Sequence, residues 1–309
     1  MKAQKIVIGS RGSQLALWQA NWVKSELERL HSNTDIDIRI IATSGDKIQD
    51  VPLSKIGGKG LFVKEIEEAL LANEIDLAVH SMKDVPIELP TELGISVITK
   101  RENPLDALIS KNGEKLADLP QGATIGTSSL RRSSQLLKYR DDFKIHPLRG
   151  NVDTRLRKVE EGKYDAILLA SAGLNRLGWA NRITEEISHD ILLPAMGQGA
   201  LGIETRLDDT MIYDFISTLN HEQTHYAVSA ERSLVGRLDG GCQVPIGAYA
   251  RVEKGLITLK GLVASLDGEI IYRSENVGPV DDAINIGQEL GSKLLKMGAN
   301  EILEILIKQ

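Results

Sequence analysis

The stretch IVIGSRGSQLALWQA, residues 6–20, is the first of two segments with the same layout. A short apolar run ends in an Ile-Gly-Ser turn, an arginine and a serine follow, and a helical pattern begins. Residues 123–139, ATIGTSSLRRSSQLLKY, show this order again with Ile-Gly-Thr at the turn. Such an internal echo predicts two similar α/β lobes, although short α/β segments also resemble each other by chance.

Around the first segment, short β-rich runs alternate with helical patterns, which is typical of a doubly wound sheet. A strand is predicted at Lys5–Gly9 and a helix at Gln14–Leu30. The other elements predicted for this lobe are strands at 36–42, 75–81 and 94–100 and a helix at 61–72. Asn103–Gly122 is rich in polar and turn residues, and the second lobe continues at 143–150 and 164–173. Because ligands of open α/β sheets bind beyond the carboxyl ends of the strands, the two lobes are expected to face a cleft.

The pattern changes in the last third of the chain. Helices are predicted near 208–219 and at 222–238. An antiparallel meander with Gly and Asp-Gly turns and two final helices follow, with strands at 244–255, 256–268 and 269–278 and helices at 280–297 and 299–307. The predicted domains are a first lobe of residues 1–99 and 200–219, a second lobe of 100–199, and a smaller α+β domain of 220–309 with a three-stranded antiparallel sheet.

Composition indicates a globular protein. The 309 residues are 42% hydrophobic, 26% charged and 4% aromatic, which fits an aliphatic α/β core. A net charge of −6 argues against nucleic-acid binding. The first residues do not resemble a signal peptide, and no segment approaches the length of a membrane span, so a cytoplasmic protein without membrane contact is expected.

Polar residues are concentrated where the predicted strands end. Hydroxyls, free N–H groups at helix starts and guanidinium groups together favour carboxylate or phosphate, so a polyanionic ligand is expected. Any one of these arginines, taken alone, is more readily a solvated surface charge, but the same chemistry at five separate strand ends makes that explanation weaker for the whole set. No Walker or GxGxxG pattern accompanies them, which makes nucleotide phosphate the weaker choice. The residues are Arg11, Ser13, Lys83, Asp84, Thr127, Ser128, Ser129, Arg131, Arg132, Arg149, Gly150, Asn151, Arg155, Ser171, Gly173 and Arg176.

Asp84 lies among these cationic groups, directly after a strand that is predicted to be buried. A carboxylate there can act as a general acid or stabilise a cationic intermediate. Pairing with Lys83 or capping a turn is the structural alternative. Asp46, in TSGDK, is the competing acid.

The single cysteine, Cys242, follows two glycines in LDGGCQVPIGAYA, residues 238–250. Such a setting favours a thiol on a loop, which something can approach closely. One cysteine forms neither an internal disulfide nor a zinc site by itself, so its special uses are as a nucleophile or an attachment point. An inert, half-buried thiol is the alternative.

Residues 221–225, HEQTH, satisfy the H-E-x-x-H zinc-peptidase pattern. On a helix, the stripe Ala227, Ala230, Leu234 and Leu238 faces the core and turns both histidines toward the wetter side. No third ligand follows, so no metal site is expected.

Two further classes remain open from the residues alone. A two-lobed cleft also suits a solute-binding module for an anionic ligand. The absence of a recognisable secretion signal and the presence of Cys242, which a simple exported binding protein does not need, argue against this class. A cysteine acyl-transfer enzyme is the other, and no histidine lies near Cys242 in sequence to activate it.

Seven motifs resemble the porphobilinogen deaminase (hydroxymethylbilane synthase) family, and the resemblance runs over nearly the whole chain. The third-lobe strands and final helices match mainly in layout. The motifs are IGSRGSQLAL (8–17), KGLFVKEIE (59–67), DLAVHSMKDVP (76–86), IGTSSLRR (125–132), LRGNVDTRL (148–156), LPAMGQGALGIE (193–204) and LDGGCQVPIGAYA (238–250).

The resemblance implies two periplasmic-binding-protein-like lobes and a reaction. Cys242 is expected to carry a dipyrromethane through a thioether, made from the enzyme's own substrate. Four porphobilinogen units are then added with loss of ammonia, and hydrolysis releases hydroxymethylbilane for porphyrin and heme biosynthesis. The partners implied are porphobilinogen and the growing oligopyrrole, and the chain is expected to be a monomer without metal.

The resemblance also implies roles for individual residues. Asp84 matches the catalytic aspartate, and the loop at residues 46–60 resembles a mobile cover of the active site, although a plain flexible loop is equally economical. Residues expected to hold the cofactor, with Cys242, are Lys83, Asp84, Ser129, Arg131, Arg132, Ser13, Thr127, Gly150 and Ser171. Residues expected to bind substrate are Arg11, Ser13, Arg149, Asn151, Arg155, Arg176 and Gln198.

Overall fold

The protein is described by a computed structural model over residues 4–31, 34–47, 60–239 and 244–307. The strands are β1 (Gln4–Ser10), β2 (Thr34–Ile40), β3 (Leu77–Ser81), β4 (Leu93–Ile98), β5 (Asp106–Ser110), β6 (Thr124–Gly126), β7 (Lys144–His146), β8 (Ala166–Ala170), β9 (Glu185–Ile187), β10 (Leu201–Arg206), β11 (Ile246–Glu253), β12 (Leu256–Ala264) and β13 (Ile271–Pro279). The helices are α1 (Gln14–Leu30), α2 (Ser44–Lys47), α3 (Lys64–Leu71), α4 (Leu130–Tyr139), α5 (Val152–Glu160), α6 (Ser171–Arg176), α7 (Thr210–Ile216), α8 (Glu222–Arg237), α9 (Ala283–Leu294) and α10 (Asn300–Ile307).

Two five-stranded sheets have the same topology. Their strand orders are β2-β1-β3-β10-β4 and β7-β6-β8-β5-β9. In each sheet three strands run parallel, and two further strands complete it in antiparallel pairing: β10 and β4 in the first, β5 and β9 in the second. The echo between residues 6–20 and 123–139 therefore reflects a structural repeat in which β1 and α1 correspond to β6 and α4.

Helix α1 begins and ends where the sequence predicts. The Ser13 hydroxyl accepts a hydrogen bond from the Ala16 N–H at 3.3 Å, which caps the first turn. Apolar residues then recur at helical spacing, so Ala20, Val23 and Leu27 are fully buried against the sheet. The residues that determine this helix lie within it or next to it in the sequence, which is why its bounds could be predicted.

Helices cover both faces of each five-stranded sheet. In the first sheet, α1 and α7 pack on one face, through Val23 and Ile212, and α3 packs on the other through Ile66. In the second sheet, Leu136 of α4 packs on one face and Leu156 of α5 on the other. The α/β class and the doubly wound lobes are confirmed.

The last sheet is an antiparallel meander, β11-β12-β13, as the turn signals predict. It packs closely on α8 and α9 because Gly261 of β12 has no side chain. A Cβ there would lie 2.8 Å from Leu234 Cδ2 and 3.1 Å from Leu294 Cδ1.

Several boundaries differ from the predicted ones. The predicted helix at 280–297 is shorter, ending as α9 at Leu294, and a π-helical turn, Leu295–Ala299, joins it to α10. Asn103–Gly122, which looks like a polar connection, contains β5, a buried strand that lies between β8 and β9 in the sheet. Strand β10 has no counterpart among the predicted strands.

The described residues divide into two compact units. The first runs to Arg101 and takes in Ala200–His225, and the second takes in Glu102–Gly199 and the chain from Tyr226 onward. The division of the second unit into a lobe and a C-terminal domain stays a prediction. Within the described ranges, no helix carries an apolar run long enough to cross a membrane.

Candidate active site

Asp106, the first residue of β5, is fully buried and accepts four side-chain hydrogen bonds. Its Oδ2 accepts from Arg131 Nη1 at 2.8 Å, and its Oδ1 accepts from Arg132 Nε and Nη2 at 3.0 and 2.6 Å. Gln198 Nε2 donates to the same Oδ1 at 3.1 Å. Burial alone would raise the pKa of Asp106, but the two guanidinium groups outweigh burial and hold this pKa well below its usual range. The carboxylate is therefore ionised.

The two arginines lie in the first turn of α4 and point into the second unit. Their side chains are 5% and 8% exposed. Arg131 Nη1 also donates to the Leu193 carbonyl at 2.7 Å, and Arg132 Nη1 donates to the Leu168 carbonyl at 3.0 Å. Burial lowers the pKa of Arg131, although Asp106 opposes this effect, and a guanidinium remains charged in proteins.

Asp106, Arg131 and Arg132 together carry a net charge of +1, because two guanidinium groups share one carboxylate. A buried charge without a counter-charge is costly, so the cluster favours an anionic group beside it. Within the described part of the chain, the buried atoms Ser171 Oγ and Gln198 Oε1 have no hydrogen-bond partner. Both residues flank Asp106: Ser171 N donates to the Leu105 carbonyl at 3.0 Å, and Gln198 Nε2 donates to the Pro104 carbonyl at 2.6 Å. An anionic group fits beside the arginines, where the Ser171 hydroxyl can donate to it, whereas Gln198 Oε1 only accepts and suits an N–H group of the same ligand.

Lys83 and Asp84 lie in a 3-10 turn, Met82–Asp84, that follows β3. The turn is fixed by its neighbours, because Met82 N donates to the Ala200 carbonyl at 3.0 Å. Before it, Ser81 Oγ accepts from Gln19 Nε2 of α1 at 2.9 Å. Lys83 is half-buried and Asp84 is exposed. A rigid support thus presents an accessible carboxylate.

Arg11 and Ser13 flank the turn between β1 and α1. The Arg11 guanidinium carbon lies 4.2 Å from the centre of the Phe62 ring, which is a cation–π contact. Ser13 Oγ serves the helix cap described above. The structure therefore gives Ser13 a role in folding besides the binding role expected from sequence.

Thr127 and Ser129 lie at the corresponding turn between β6 and α4. Thr127 is buried, and its Oγ1 accepts from Ser129 N at 3.2 Å. Ser129 is the N-cap residue of α4, and its hydroxyl makes no capping hydrogen bond.

The loop before α5 is closed by Arg155, whose Nε donates to the Gly150 carbonyl at 2.7 Å. Gly150 has a φ of +109°, which favours glycine. Asn151 is the N-cap residue of α5, is exposed, and makes no capping bond with its side chain. Arg149 is half-buried.

Arg176 ends α6 and is tied to the segment that carries Gln198. Its Nη2 donates to the Gly199 carbonyl at 2.6 Å. Burial lowers the pKa of Arg176 to about 10, against the charge of Glu102, so this side chain is still protonated at neutral pH. The structure thus brings Arg131, Arg132, Ser171 and Gln198 together around Asp106. Arg176 binds the carbonyl of Gly199, the residue that follows Gln198.

Two predicted features fall on parts of the chain outside the described residues. Cys242 lies in the undescribed stretch 240–243, and most of the predicted cover loop lies in 48–59. The structure does show the elements on either side of Cys242: α8 ends at Arg237 and β11 begins at Ile246.

The HEQTH segment starts a helix. His221 Nδ1 accepts from Thr224 N at 3.3 Å, as a helix cap does, and His225 Nδ1 lies 3.1 Å from Asn220 Oδ1. Burial lowers the pKa of His225. The predicted core stripe is confirmed, with the following residues all buried: Ala227, Ala230, Leu234 and Leu238. Among the described residues, no group of three or more His, Cys, Asp or Glu side chains is placed to hold a metal ion.

Two family models cover most of the chain. The model of the dipyrromethane cofactor binding domain of porphobilinogen deaminase matches residues 6–214, and the model of that enzyme's C-terminal domain matches residues 225–296. The chain belongs to the porphobilinogen deaminase family. It is a transferase of tetrapyrrole biosynthesis, and its family uses a dipyrromethane cofactor.

Curated relatives match over nearly the full length. The porphobilinogen deaminase of Geobacter metallireducens is 55% identical over 303 residues, covering 98% of this chain and 95% of the relative. That of Syntrophobacter fumaroxidans is 53% identical over 304 residues, covering 98% of each. Among solved structures, the probable amino-acid ABC transporter extracellular-binding protein ytmK of Bacillus subtilis has a TM-score of 0.42 at 13% identity, covering 71% of this chain and 90% of that chain.

The cluster around Asp106 fits the family's cofactor. A dipyrromethane built from porphobilinogen bears acetate and propionate groups and also pyrrole N–H groups. The cluster offers an unbalanced positive charge and the Ser171 hydroxyl for a carboxylate, and Gln198 Oε1 as an acceptor for an N–H. The two arginines are predicted from the sequence, and Asp106 is not. The sequence feature that could have indicated Asp106 is its place at the start of the short apolar run DALIS, residues 106–110. The surrounding region otherwise looks like a polar connection.

Proposed function

We propose that the enzyme joins four porphobilinogen units head to tail onto a dipyrromethane held by Cys242, releasing ammonia at each addition and hydroxymethylbilane by hydrolysis. The observation that supports this proposal best is the buried cluster of one carboxylate and two guanidinium groups at Asp106, which favours a carboxylate-bearing ligand. Cys242 is proposed as the attachment point because the family motif around it matches without departure and because the chain has no other cysteine.

Cofactor carboxylates are held, in this proposal, by the buried cluster and by the polar groups at the helix starts. Arg131 and Arg132 supply charge, and Ser171 supplies a hydroxyl donor. Gln198 donates through Nε2 to Pro104 and Asp106, so its buried Oε1 can accept from a pyrrole N–H. When bound, the dipyrromethane supplies the free α-carbon to which the first substrate unit is added. The other groups proposed to contact it are Lys83, Asp84, Ser129, Ser13, Thr127 and Gly150.

Asp84 is proposed as the catalytic residue. As ammonia leaves porphobilinogen, positive charge develops on the pyrrole ring, and the carboxylate of Asp84 stabilises it when placed against the ring nitrogen. The same carboxylate can then accept the proton that is lost when the new bond is complete. Its position on a fixed turn, with an exposed side chain, suits both tasks.

Substrate carboxylates are proposed to bind at arginines outside the buried cluster. Arg176 is protonated at neutral pH and lies beside the Gln198 segment, and Arg155 closes the loop at Gly150. A planar guanidinium binds carboxylate through two parallel hydrogen bonds, which orients the substrate as well as attracting it. The full set proposed for substrate is Arg11, Ser13, Arg149, Asn151, Arg155, Arg176 and Gln198. A monomer in the cytoplasm, acting without metal or nucleic acid, stays a prediction.

The proposal is tested by incubating the protein with porphobilinogen and measuring ammonia and released tetrapyrrole together. Four ammonia molecules per hydroxymethylbilane are expected. Porphobilinogen consumed without ammonia release would contradict the proposed reaction.

A further inference from the structure

The segment Leu193–Gln198 lies between two groups of contacts within the second unit. On one side it touches the buried cluster. The Leu193 carbonyl accepts from Arg131 Nη1 at 2.7 Å, and Gln198 Nε2 donates to Asp106 Oδ1 at 3.1 Å. Gln135 of α4 also binds Leu193, since its Oε1 accepts from Leu193 N at 2.8 Å. This side of the segment therefore binds Arg131 directly and is linked to Arg132 through Asp106.

The other side of Leu193–Gln198 touches the elements that flank Cys242 in sequence. Ala248 N, in β11, donates to the Pro194 carbonyl at 2.9 Å. Gly197 N donates to Glu231 Oε2, in α8, at 2.6 Å. Since α8 ends at Arg237 and β11 begins at Ile246, the two elements on either side of Cys242 in sequence both bind Leu193–Gln198.

Glu231 joins all three parts. Its side chain is fully buried, and besides the contact with Gly197 its Oε1 accepts from Ala250 N of β11 at 2.7 Å. One carboxylate thus links α8, β11 and the segment attached to the arginines. We propose that Glu231 is a positioning residue that sets where the Cys242 connection lies relative to Arg131 and Arg132, so that one dipyrromethane can reach both. This inference rests on the proposed attachment at Cys242.

The contacts of Glu231 with Gly197 and Ala250 require an acceptor at each carboxylate oxygen, because each of these residues presents a backbone N–H group. A glutamine has nearly the same size but offers one oxygen and one NH₂ group, so one N–H would face another donor. E231Q therefore breaks one of the two links with little change in volume. Glu222, exposed in the first turn of the same helix, provides the matched control E222Q.

The experiment follows cofactor loading rather than turnover. Full-length wild-type protein, E231Q and E222Q are produced as apoenzyme in cells that lack porphobilinogen, then incubated with porphobilinogen. Intact mass is recorded over time, and the folded fraction is measured by circular dichroism. We expect E231Q to gain the mass of two porphobilinogen units less two ammonias at least about tenfold more slowly per folded molecule than the other two proteins.

Alkylation by iodoacetamide separates positioning from loss of the thiol, because Cys242 is the only cysteine. Apo E231Q is expected to be alkylated at least as fast as the wild type while loading more slowly. Equal loading rates per folded molecule, or loading and alkylation slowed to the same extent, would overturn the positioning role. If E231Q does not fold, E231D replaces it, since a carboxylate one methylene shorter cannot span both N–H groups, and wild-type loading by E231D would equally overturn it. A wild-type protein that gains no mass contradicts the proposed function instead.

Discussion

Asp106 binds Arg131 and Arg132 at once, with its two oxygens 2.8 and 2.6 Å from their Nη1 and Nη2 atoms. Each guanidinium also donates to a backbone carbonyl, so the interior holds both arginines in one geometry. Because one carboxylate serves two cations, the cluster stays positive. The same arrangement is expected to stabilise the second unit and, in the proposed function, to attract a carboxylate of the cofactor.

Replacing Asp106 by asparagine leaves two buried guanidinium groups without a counter-charge. Removing one partner from a buried ion pair costs about 3–5 kcal/mol, so D106N is expected to lower the free energy of unfolding by about that amount. Urea unfolding measures it, with D141N, at an exposed position of the same unit, as the control. A loss no larger than that of D141N would show that the pair contributes little to stability.

Asp84 is expected to matter for turnover and not for folding, because its side chain is exposed on a turn fixed by Ser81 and Met82. D84N should keep its bound cofactor and its melting temperature and lose at least about a hundredfold in kcat, the range found for general acid–base groups. D214N, exposed on α7, serves as the control. Near-normal turnover of D84N would reject the catalytic role.

Glu67 of α3 makes stability depend on pH. Its pKa is raised from 4.5 to about 6, first by burial and then by the charge of Glu204, with His80 opposing. The folded protein binds the proton of the Glu67 carboxyl more tightly than the unfolded chain does. The stabilisation that this proton gives to the folded state is therefore fully present below pH 4.5 and is lost as pH rises through about 6.

The variant E67Q keeps the neutral form at every pH. It should therefore gain stability relative to wild type between about pH 4.5 and 6, by less than about 2 kcal/mol because the side chain is only half-buried and solvent screens it. Urea unfolding at pH 4 and pH 8 gives the difference, with exposed E68Q as the control. A constant difference between E67Q and wild type across this range would show that Glu67 titrates normally.

Features set by neighbouring residues could be predicted from sequence. Helix α1 follows from the Ser13 cap and its apolar spacing, and the meander β11-β12-β13 follows from its turns. The α/β class, the dipyrromethane cofactor and the family were likewise available from motifs.

Features set by distant contacts could not be predicted in the same way. Strand β5 is short and has a polar residue at each end, Asp106 and Ser110, and the charge of Asp106 gives no sign in the sequence that the strand is buried. Only the pairing with Arg131 and Arg132, 25 and 26 residues later, explains it. Glu231 gives no local signal either, because its partners Gly197 and Ala250 are backbone groups brought together by the fold.

The most direct test of the proposed chemistry is the intact mass, under denaturing conditions, of the purified protein and of a C242S variant. The wild type is expected to exceed its sequence mass by two porphobilinogen units less two ammonias, and C242S is expected to show the unmodified mass. The same excess in C242S, or a wild type that gains no mass after incubation with porphobilinogen, would contradict covalent attachment at Cys242.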